Sequence, residues 1–303
     1  MTDVIVIGGG IAGMTAALNC LRGGKSVLLL EKESFGGQIA NSPRVENYPS
    51  FKQISGLELA DKIFDQISEL GVEFDIDKVT GIVKNGEKDF TVKTEYSEHK
   101  CKAVIIACGV KHRKLNVAGE EKFTGKGVYY CAVCDGAFYK DQEVTLVGDA
   151  NSALQYALLL SNYCSKVKMV TMFDRFFGDK ALQDAVLARD NIEVIHGYVT
   201  EKVLGDEKFE GVLLKETKGE NRLEIKNSAL FVAIGQVSDN EVFSGVCKLD
   251  KDGFIVSGEE CFSGTDGVFV AGDCRTKKIR SLCTASSDGI IAALSAVSYL
   301  DRK

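Results

Sequence analysis

The hydrophobic positions at the start of the chain form a short unbroken run that leads into a glycine-rich turn. Residues 4–7 read VIVI, a β-branched run typical of a strand buried on both faces of a sheet. Residues 8–13 read GGGIAG, and apolar positions at helical spacing continue over residues 14–21. A second strand is predicted over residues 26–30 and ends on Glu31. The pattern predicts a strand, a turn, a helix and a strand in that order.

The same pattern begins again 140 residues further on. Residues 144–147 read VTLV and residues 148–153 read GDANSA, so a buried strand again enters a glycine-type turn. A helix pattern over residues 154–160 and a strand pattern over residues 167–172 complete the second copy. Two βαβ units of the dinucleotide-binding type are therefore predicted in one chain.

The segments around these copies indicate how the two domains are joined. Apolar residues between positions 57 and 70 recur at helical spacing, and a helix of small residues is predicted over residues 288–300. From about Gly253 the chain returns to the first domain. We predict an α/β fold of two Rossmann-like dinucleotide-binding domains, with residues 113–240 inserted into the first domain. That first domain comprises residues 1–112 and 241–303.

Composition and charge narrow the class of protein. The 303 residues suffice for two domains, and 45% hydrophobic with 26% charged residues is typical of a globular chain. No apolar run reaches membrane-spanning length and the first residues carry no basic segment, so we expect neither a membrane span nor a targeting signal. The net charge of −6 argues against a nucleic-acid partner. Ten cysteines fit a reducing compartment, which predicts a cytoplasmic protein.

The first glycine turn carries the chemistry of a dinucleotide site. Gly8 allows the tight turn, Gly10 lets the backbone approach a pyrophosphate, and Gly13 lets helix and sheet pack closely. The phosphates would lie at a helix N-terminus, where unpaired N–H groups favour negative charge. Glu31 follows the second strand, where an acid can bind ribose hydroxyls. Together these residues predict a bound adenine dinucleotide.

Cys131 and Cys134 form the most specific motif of the chain. A C-x-x-C pair can be a redox dithiol, half of a zinc site, or two small buried residues. Zinc needs a second pair of ligands, and the sequence has no other C-x-x-C and no Cys/His cluster, so no metal site is predicted. We favour the redox dithiol. The other eight cysteines are expected to be small buried residues: Cys20, Cys101, Cys108, Cys164, Cys247, Cys261, Cys274 and Cys283.

Several segments resemble one family of flavoproteins. Residues 131–140 read CAVCDGAFYK, which closely resembles the active-site segment of the low-molecular-weight thioredoxin reductases. Residues 36–38 (GGQ) and 46–49 (ENYP) fit the same family. Residues 265–273, TDGVFVAGD, resemble the second FAD fingerprint of the two-dinucleotide flavoprotein reductases, and residues 280–294 resemble the family's flavin-covering helix. The resemblance extends over essentially the whole chain.

The resemblance implies a FAD-binding disulfide reductase and assigns roles to particular residues. It makes Cys134 the sulfur next to the flavin, Cys131 the sulfur that exchanges with the protein substrate, and Asp135 the acid/base for the thiol proton. It also implies thioredoxin as a partner, a contact of thioredoxin with Phe138, and a homodimer. The implied FAD contacts lie in the domain of residues 1–112 and 241–303, and they are Gly8, Gly10, Gly13, Glu31, Lys32, Gly37, Gln38, Asn47, Gly272, Asp273 and Arg280.

The second copy of the turn departs from the relatives that use NADPH. Ala150 replaces the middle glycine and Asp149 precedes it, so a methyl group and a carboxylate stand where a pyrophosphate would approach. Thr171 occupies the position equivalent to Glu31. Residues 171–177 read TMFDRFF and keep one arginine, where NADPH-using relatives carry H-R-R-x-x-x-R. The second domain is predicted to have lost nicotinamide phosphate binding.

These losses resemble the ferredoxin-dependent flavin thioredoxin reductases of anaerobic bacteria. We therefore expect electrons to pass from reduced ferredoxin to FAD, then to the Cys131–Cys134 pair and on to thioredoxin. Because ferredoxins are typically acidic, a local basic patch should dock them. The candidates are two clusters, Lys111 with Arg113 and Lys114, and Lys277 with Lys278 and Arg280.

Three alternatives stay open from the sequence. A flavin-dependent dithiol oxidase would pass electrons from small dithiols to oxygen. A reductase fed by NADH or a deazaflavin would use a remodelled pocket. A non-catalytic flavoprotein is the third, and the intact C-x-x-C-D-G segment argues against it.

Overall fold

The computed structural model describes residues 1–42 and 45–302, and the chain divides into two compact units. Unit 1 comprises Met1–Lys111 and Val237–Lys303, and unit 2 comprises His112–Gln236. The predicted domain limits were 112/113 and 240/241.

The described residues form seven α-helices and seventeen strands. The helices are α1 (Ile11–Arg22), α2 (Gly56–Glu69), α3 (Glu120–Phe123), α4 (Ala132–Asp135), α5 (Asn151–Ser161), α6 (Lys180–Leu187) and α7 (Leu282–Asp301). The strands are β1 (Thr2–Ile7), β2 (Val27–Glu31), β3 (Glu73–Ile76), β4 (Val79–Gly86), β5 (Asp89–Thr94), β6 (Glu98–Ile106), β7 (Lys111–His112), β8 (Val128–Tyr129), β9 (Glu143–Val147), β10 (Lys166–Thr171), β11 (Ile192–His196), β12 (Tyr198–Gly205), β13 (Phe209–Glu216), β14 (Arg222–Lys226), β15 (Ala229–Val232), β16 (Gln236–Val237) and β17 (Val268–Val270). Short 3-10 turns cover Gly37–Asn41, Gly136–Tyr139, Glu241–Phe243 and Gly272–Cys274.

Unit 1 is built on a seven-stranded sheet with strand order β3-β2-β1-β6-β5-β4, and β17 pairs with the end of β6. The strands β3, β2, β1, β6 and β17 are parallel, while β5 and β4 add an antiparallel edge. The parallel strands carry their carboxyl ends to one edge of the sheet, where ligands bind in folds of this type.

The strand β1 is buried on both faces of this sheet, as its apolar run predicts. Val4 and Val6 pack into the core beneath α1 and α7, whereas Ile5 and Ile7 pack into the core on the other face. Alternate residues of a strand point to opposite faces, so a continuous β-branched run fits a doubly covered strand. The helix α7 starts six residues before its predicted start at residue 288. A capping box between Ser281 and Thr284 sets that start.

Unit 2 repeats the arrangement with a five-stranded parallel sheet of order β11-β10-β9-β15-β8. The helix α5 packs on β9 and β10 through a core that includes Leu154, Leu160 and Leu146. A separate antiparallel sheet of β12, β13 and β14 packs its own apolar side chains against β15 and β8. Residues 198–226, which form this sheet, were not assigned from the sequence.

No helix within residues 1–42 and 45–302 is long and apolar enough to cross a membrane.

Candidate active site

The first glycine turn joins β1 to α1, and its outer two glycines are required by close packing. Gly8 has φ +109°, and a side chain there would lie 2.4 Å from the carbonyl oxygen of Ala107. A side chain at Gly13 would lie 1.8 Å from the Gly8 carbonyl oxygen. These contacts hold the turn against the carboxyl ends of β1 and β6.

The middle glycine, by contrast, faces open space. A Cβ atom added to Gly10 would meet no atom within 4 Å. Gly10 is also the N-cap of α1, and no side chain caps that helix. The first N–H groups of α1 therefore have no side-chain cap and open space lies beside Gly10, which is an arrangement that can bind a phosphate group.

Glu31 closes one side of this turn from the end of β2. Its carboxylate accepts hydrogen bonds from the backbone N–H groups of Gly9, Lys32 and Glu33, at 2.6, 2.8 and 3.1 Å. One carboxylate therefore ties the glycine turn to β2. Ribose hydroxyls could share it, because a carboxylate has about four acceptor positions.

Gly36 and Gly37 close the opposite side of the turn. The Gly36 N–H donates to the Gly9 carbonyl at 2.8 Å, and Gly36 and Gly37 both have positive φ. A Cβ atom on Gly37 would lie 3.2 Å from the Gly10 Cα, so this crossing is made by two glycine backbones. Two further predicted FAD contacts, Gln38 and Asn47, are exposed nearby.

The second fingerprint, Gly272–Asp273, lies against the start of α1. A Cβ atom on Gly272 would be 2.8 Å from the Ala12 Cβ, and the Gly272 N–H donates to Asp288 at 3.1 Å. Burial raises the pKa of the Asp273 carboxyl, while Lys277 and Arg280 lower it. Its Oδ1 atom is buried and has no hydrogen-bond partner among the described residues.

Arg280 holds the loop that follows this fingerprint. Its guanidinium donates to the backbone carbonyls of Asp273, Lys277 and Arg275, at 3.3, 3.4 and 3.3 Å. The same group lies over the ring of Phe254, 4.4 Å from its centroid. Arg280 therefore shapes the loop, and three of its five N–H donors are engaged with backbone carbonyls.

These residues fit a bound FAD. An uncapped helix N-terminus opens beside Gly10, an acid at Glu31 suits ribose, and the buried Oδ1 of Asp273 awaits a donor. FAD carries a pyrophosphate, a ribose and a hydroxyl-bearing ribityl chain, which match these three features. The residues that would hold it all belong to unit 1.

Cys131 and Cys134 are joined by a disulfide bond in unit 2. Cys131 is the N-cap of the short helix α4, and its sulfur accepts the Cys134 N–H at 3.2 Å. Val133, between the two cysteines, is 52% exposed, so this turn reaches the surface of unit 2. Once the disulfide is reduced, a thiolate of the pair could therefore reach a partner disulfide from this surface turn.

Asp135 follows Cys134 directly and ends the helix α4. Its N–H donates to the Cys131 carbonyl at 3.1 Å, and its side chain is buried. Burial raises the pKa of this carboxyl to about 7. It can therefore change protonation state near neutral pH, as a general acid/base requires.

Tyr130 and Glu120 support this turn, and the sequence analysis did not identify them. The Tyr130 hydroxyl donates to the buried Glu120 carboxylate at 2.7 Å. Glu120 also accepts the N–H groups of Leu115 and Asn116, at 2.8 and 2.7 Å. A buried acid with three donors fixes the residue that precedes Cys131. The acid-rich GEE at residues 119–121 was the available signal.

The second glycine turn has the same backbone frame as the first but different contents. Gly148 has φ +148°, and a side chain there would lie 2.4 Å from the Ala233 carbonyl oxygen. A side chain at Gly8 would lie at the same distance from the Ala107 carbonyl oxygen. Ala150 then takes the place of Gly10 as the N-cap of α5, and its methyl group is exposed. The open volume of the first turn is thus partly filled in the second.

Residues 172–179 cover this second turn. The Phe177 N–H donates to the Asp149 carbonyl at 2.8 Å, as Gly36 does to Gly9 in the first turn. The Asp179 N–H donates to Asn151 Oδ1 at 2.6 Å, and Asn151 Nδ2 donates to Asp179 Oδ2 at 3.1 Å. Two carboxylates, Asp149 and Asp179, therefore flank the N-terminus of α5. Sequence analysis missed Asp179, although FFG at residues 176–178 repeats FGG at residues 35–37.

The end of β10 has no acid for ribose and no array of arginines. Thr171 Oγ1 lies 2.7 Å from His196 Nδ1 and donates to the Phe173 carbonyl at 2.7 Å. The guanidinium of Arg175 lies over the Phe177 ring, 5.0 Å from its centroid. These contacts close the edge with the chain's own side chains.

Two expectations from the sequence were wrong. The first is that all eight other cysteines are buried. Cys283, in the first turn of α7, is exposed, and Cys108, which follows the end of β6, is partly exposed. Lys277 is not a surface cation, since its side chain is 8% exposed and its ammonium donates to Asp288 at 2.8 Å. In the second basic cluster, Lys278 is the exposed cation, and the exposed Ile279 lies next to it in the chain.

Comparison with known proteins gives a consistent result. The family model described as pyridine nucleotide-disulphide oxidoreductase matches residues 2–289. A 34.2 kDa protein in the rubredoxin operon of Clostridium pasteurianum is 37% identical, over 99% of this chain and 98% of that protein. Thioredoxin reductase of Listeria innocua is 37% identical, over 99% of this chain and 94% of that protein. The crystal structure of thioredoxin reductase from Streptococcus pyogenes superposes with a TM-score of 0.95 at 36% identity, covering 99% and 98% of the two chains.

Proposed function

This chain belongs to the pyridine nucleotide-disulphide oxidoreductase family, and we propose that it reduces thioredoxin with electrons from reduced ferredoxin. It is a flavoprotein disulfide reductase of the thioredoxin reductase type, and its cofactor is FAD. We propose the electron donor, the substrate thioredoxin and the roles of individual residues as follows.

Bound FAD supplies a carrier that can collect electrons singly and release them as a pair. The chain itself supplies the disulfide of Cys131 and Cys134, which takes up two electrons and two protons to become a dithiol. The Cys131 thiolate then attacks the thioredoxin disulfide and forms a mixed disulfide, releasing one thioredoxin thiolate. The Cys134 thiolate attacks Cys131, which releases the second thiolate and restores the disulfide. Asp135 holds and returns the thiol proton, which its pKa of about 7 allows.

The pair of carboxylates at the N-terminus of α5 carries the proposal on the donor. A nicotinamide dinucleotide would bring its pyrophosphate to this helix end, beside Asp149 and Asp179. Burial raises the pKa of Asp149, and phosphate would raise it further. The methyl group of Ala150 adds a steric obstacle. Each lost charged hydrogen bond costs about 1.5–3 kcal/mol, and about 1.4 kcal/mol is a factor of ten in affinity. Loss of two or three such contacts would therefore weaken NADPH binding by orders of magnitude.

Ferredoxin is a sufficient reductant for this reaction. Plant-type ferredoxins have potentials near −400 mV and thioredoxin lies near −270 mV, so two electrons release about 6 kcal/mol. The proposed docking surface is the exposed pair Lys278–Ile279, which follows the Gly272–Asp273 fingerprint in unit 1. The Lys278 ammonium would attract an acidic partner, and the Ile279 side chain would provide an apolar contact for a transient complex.

Equilibrium binding of NADPH tests the donor proposal. We expect no saturable binding to the oxidised protein up to about 1 mM NADPH. A double variant, Asp149→Asn with Asp179→Asn, should bind NADPH at least about tenfold better than wild type, because it removes both repelling charges. The matched control is Asp174→Asn, an exposed acid of the same loop that does not contact α5 in the described hydrogen bonds. Micromolar binding of NADPH to the wild-type protein would overturn the proposal.

A trapping experiment tests the dithiol. Cys134→Ser should accumulate a mixed disulfide between Cys131 and thioredoxin, because the resolving thiol is missing. Cys131→Ser is the matched control and should trap none. Full thioredoxin reduction by either single variant would exclude this pair as the route.

A further inference from the structure

Four charged side chains form a cluster around the second fingerprint of unit 1; those of Arg275, Lys277 and Asp288 are buried, and that of Asp273 is 23% exposed. They are Asp273 on the Gly272–Cys274 turn, Arg275 and Lys277 on the loop that follows, and Asp288 on α7. The side chains of Arg275 and Lys277 are each 8% exposed. The two acids and the two bases balance, so the cluster is neutral when all four are charged. Arg280 also lowers the pKa of Asp273, so loss of Lys277 would leave Arg275 and Arg280 as the cations near the two carboxylates.

Lys277 contacts both acids of this cluster unequally. Its ammonium lies 2.8 Å from Asp288 Oδ2 and 3.9 Å from Asp273 Oδ1. Asp288 Oδ2 also accepts the Gly272 N–H at 3.1 Å and lies 3.8 Å from Arg275. Asp288 is thus well supplied with donors, whereas Asp273 Oδ1 has charge compensation from Lys277 but no hydrogen bond among the described residues.

We propose that Lys277 is a positioning residue that keeps Asp273 in its carboxylate form, ready to accept a hydrogen bond from a hydroxyl of FAD. A protonated Asp273 would offer a donor where the carboxylate offers acceptors, and it would lose the charge-assisted bond. The inference rests on FAD binding in unit 1 and not on the identity of the electron donor.

The other cations near Asp273, Arg280 and Arg275, form their hydrogen bonds with backbone carbonyls. Burial raises the pKa of the Asp273 carboxyl and Asp288 raises it further, whereas Lys277 and Arg280 lower it. The Arg280 guanidinium is directed at three backbone carbonyls and at the Phe254 ring. Arg275 donates to the carbonyls of Thr276 and Gly258, at 3.3 and 2.5 Å.

The helix α1, which packs against the same turn, brings no acid or base to Asp273. Its only titratable residues are Cys20 and Arg22, both in its last turn. Removal of the Lys277 charge should therefore move the ionisation of Asp273 to higher pH, because a second carboxylate, Asp288, stays close.

The test is the pH dependence of FAD binding by the apoprotein, followed by quenching of flavin fluorescence. In Lys277→Met, the affinity for FAD should begin to fall at a higher pH than in wild type, by about tenfold per pH unit below that point. Lys277→Arg should restore the wild-type profile, because it keeps the charge. Asp273→Asn should bind FAD weakly at every pH and show no inflection. Lys248→Met, which removes an exposed lysine of unit 1, should follow wild type.

A structural role predicts a different result. If Lys277 only packs, Lys277→Met should lose the same factor of affinity at every pH, and that outcome would overturn the proposal, as would an unchanged profile. Far-ultraviolet circular dichroism of each apoprotein shows whether it is folded. If Lys277→Met does not fold, Lys277→Gln supplies the same comparison. Each of these readouts uses FAD alone, so their failure is distinguishable from a failure of the ferredoxin proposal.

Discussion

At the scale of single residues, the proposed role of Asp135 would link the Cys131–Cys134 pair to pH. Its carboxyl is buried one residue after Cys134, and burial raises its pKa to about 7. An ordinary aspartate would be ionised throughout the neutral range and would be a poor proton donor. A carboxyl that titrates near neutral pH can both supply and accept the thiol proton in one cycle.

Replacement of this carboxyl tests its proposed role. Asp135→Asn should lower the rate of thioredoxin reduction by on the order of a hundredfold or more, because a general acid/base contributes that much. The wild-type rate should show an inflection near pH 7, and the variant should lack it. Rates of dithiol-to-thioredoxin transfer, measured across pH, check both points. An inflection retained in the variant would assign the titration to another group.

The same substitution has an opposite effect on stability. The folded-state pKa of Asp135 is raised, to about 7, so the native protein pays a penalty that grows as pH rises from about 4 to about 7. Asp135→Asn removes this penalty and should increase the free energy of unfolding by up to about 4 kcal/mol at about pH 8. At about pH 3 the two proteins should be equally stable. Urea unfolding of the oxidised proteins at both pH values measures the difference.

At the scale of secondary-structure elements, the molecule holds two copies of one turn with different contents. Gly8 and Gly148 meet a carbonyl at the same 2.4 Å, so the strand-to-helix crossing is preserved in both. The two copies differ at the helix N-cap, which is Gly10 on α1 and Ala150 on α5. A single methyl group therefore separates an open phosphate site from a partly filled one.

Gly10→Ala reproduces this difference in the first copy. The added methyl group meets no protein atom within 4 Å and the backbone φ of −77° accepts alanine, so the apoprotein should keep its stability within about 1 kcal/mol. Its affinity for FAD should fall at least about tenfold, because the methyl group stands where the pyrophosphate approaches. Fluorescence titration with FAD measures this change.

Two other glycines serve as controls for that prediction. Gly81→Ala, on β4, also adds a methyl group in open space and should change neither stability nor FAD affinity. Gly13→Ala should unfold the protein, because its methyl group would lie 1.8 Å from the Gly8 carbonyl oxygen. Unchanged FAD affinity in Gly10→Ala would contradict the assignment of this turn.

The elements that repeat were predictable, because strand and helix periods are local properties of the sequence. The runs that form β1, β9, α1 and α5 were assigned within a few residues of their observed limits. Burial of Lys277 and the placement of Asp179 beside Asn151 were not predictable. Both depend on contacts between residues 11 to 28 positions apart, which no local pattern encodes.

At the scale of the whole molecule, the proposed FAD residues belong to unit 1 and the disulfide belongs to unit 2. The chain carries a net charge of −6, so the proposed donor, an acidic ferredoxin, would need a local positive surface for docking. The homodimer and the cytoplasmic location stay predictions from the sequence.

Docking at Lys278 predicts a specific dependence on salt. Lys278→Glu should slow reduction by ferredoxin about tenfold at low ionic strength, and high salt should remove most of that difference. Lys248→Glu makes the same charge change at another exposed lysine of unit 1 and should have little effect. Stopped-flow rates at several salt concentrations make the comparison. Equal slowing by both variants would show that net charge, and not this surface, controls the encounter.

The identity of the electron donor is the central claim, and anaerobic reduction of the bound flavin tests it most directly. Oxidised holoprotein is mixed without oxygen with reduced ferredoxin or with excess NADPH, and the loss of flavin absorbance is followed. We predict rapid bleaching by ferredoxin and almost none by NADPH, because in the proposed function Asp149, Ala150 and Asp179 obstruct the binding of a nicotinamide dinucleotide at α5. Rapid bleaching by micromolar NADPH, with none by ferredoxin, would contradict it.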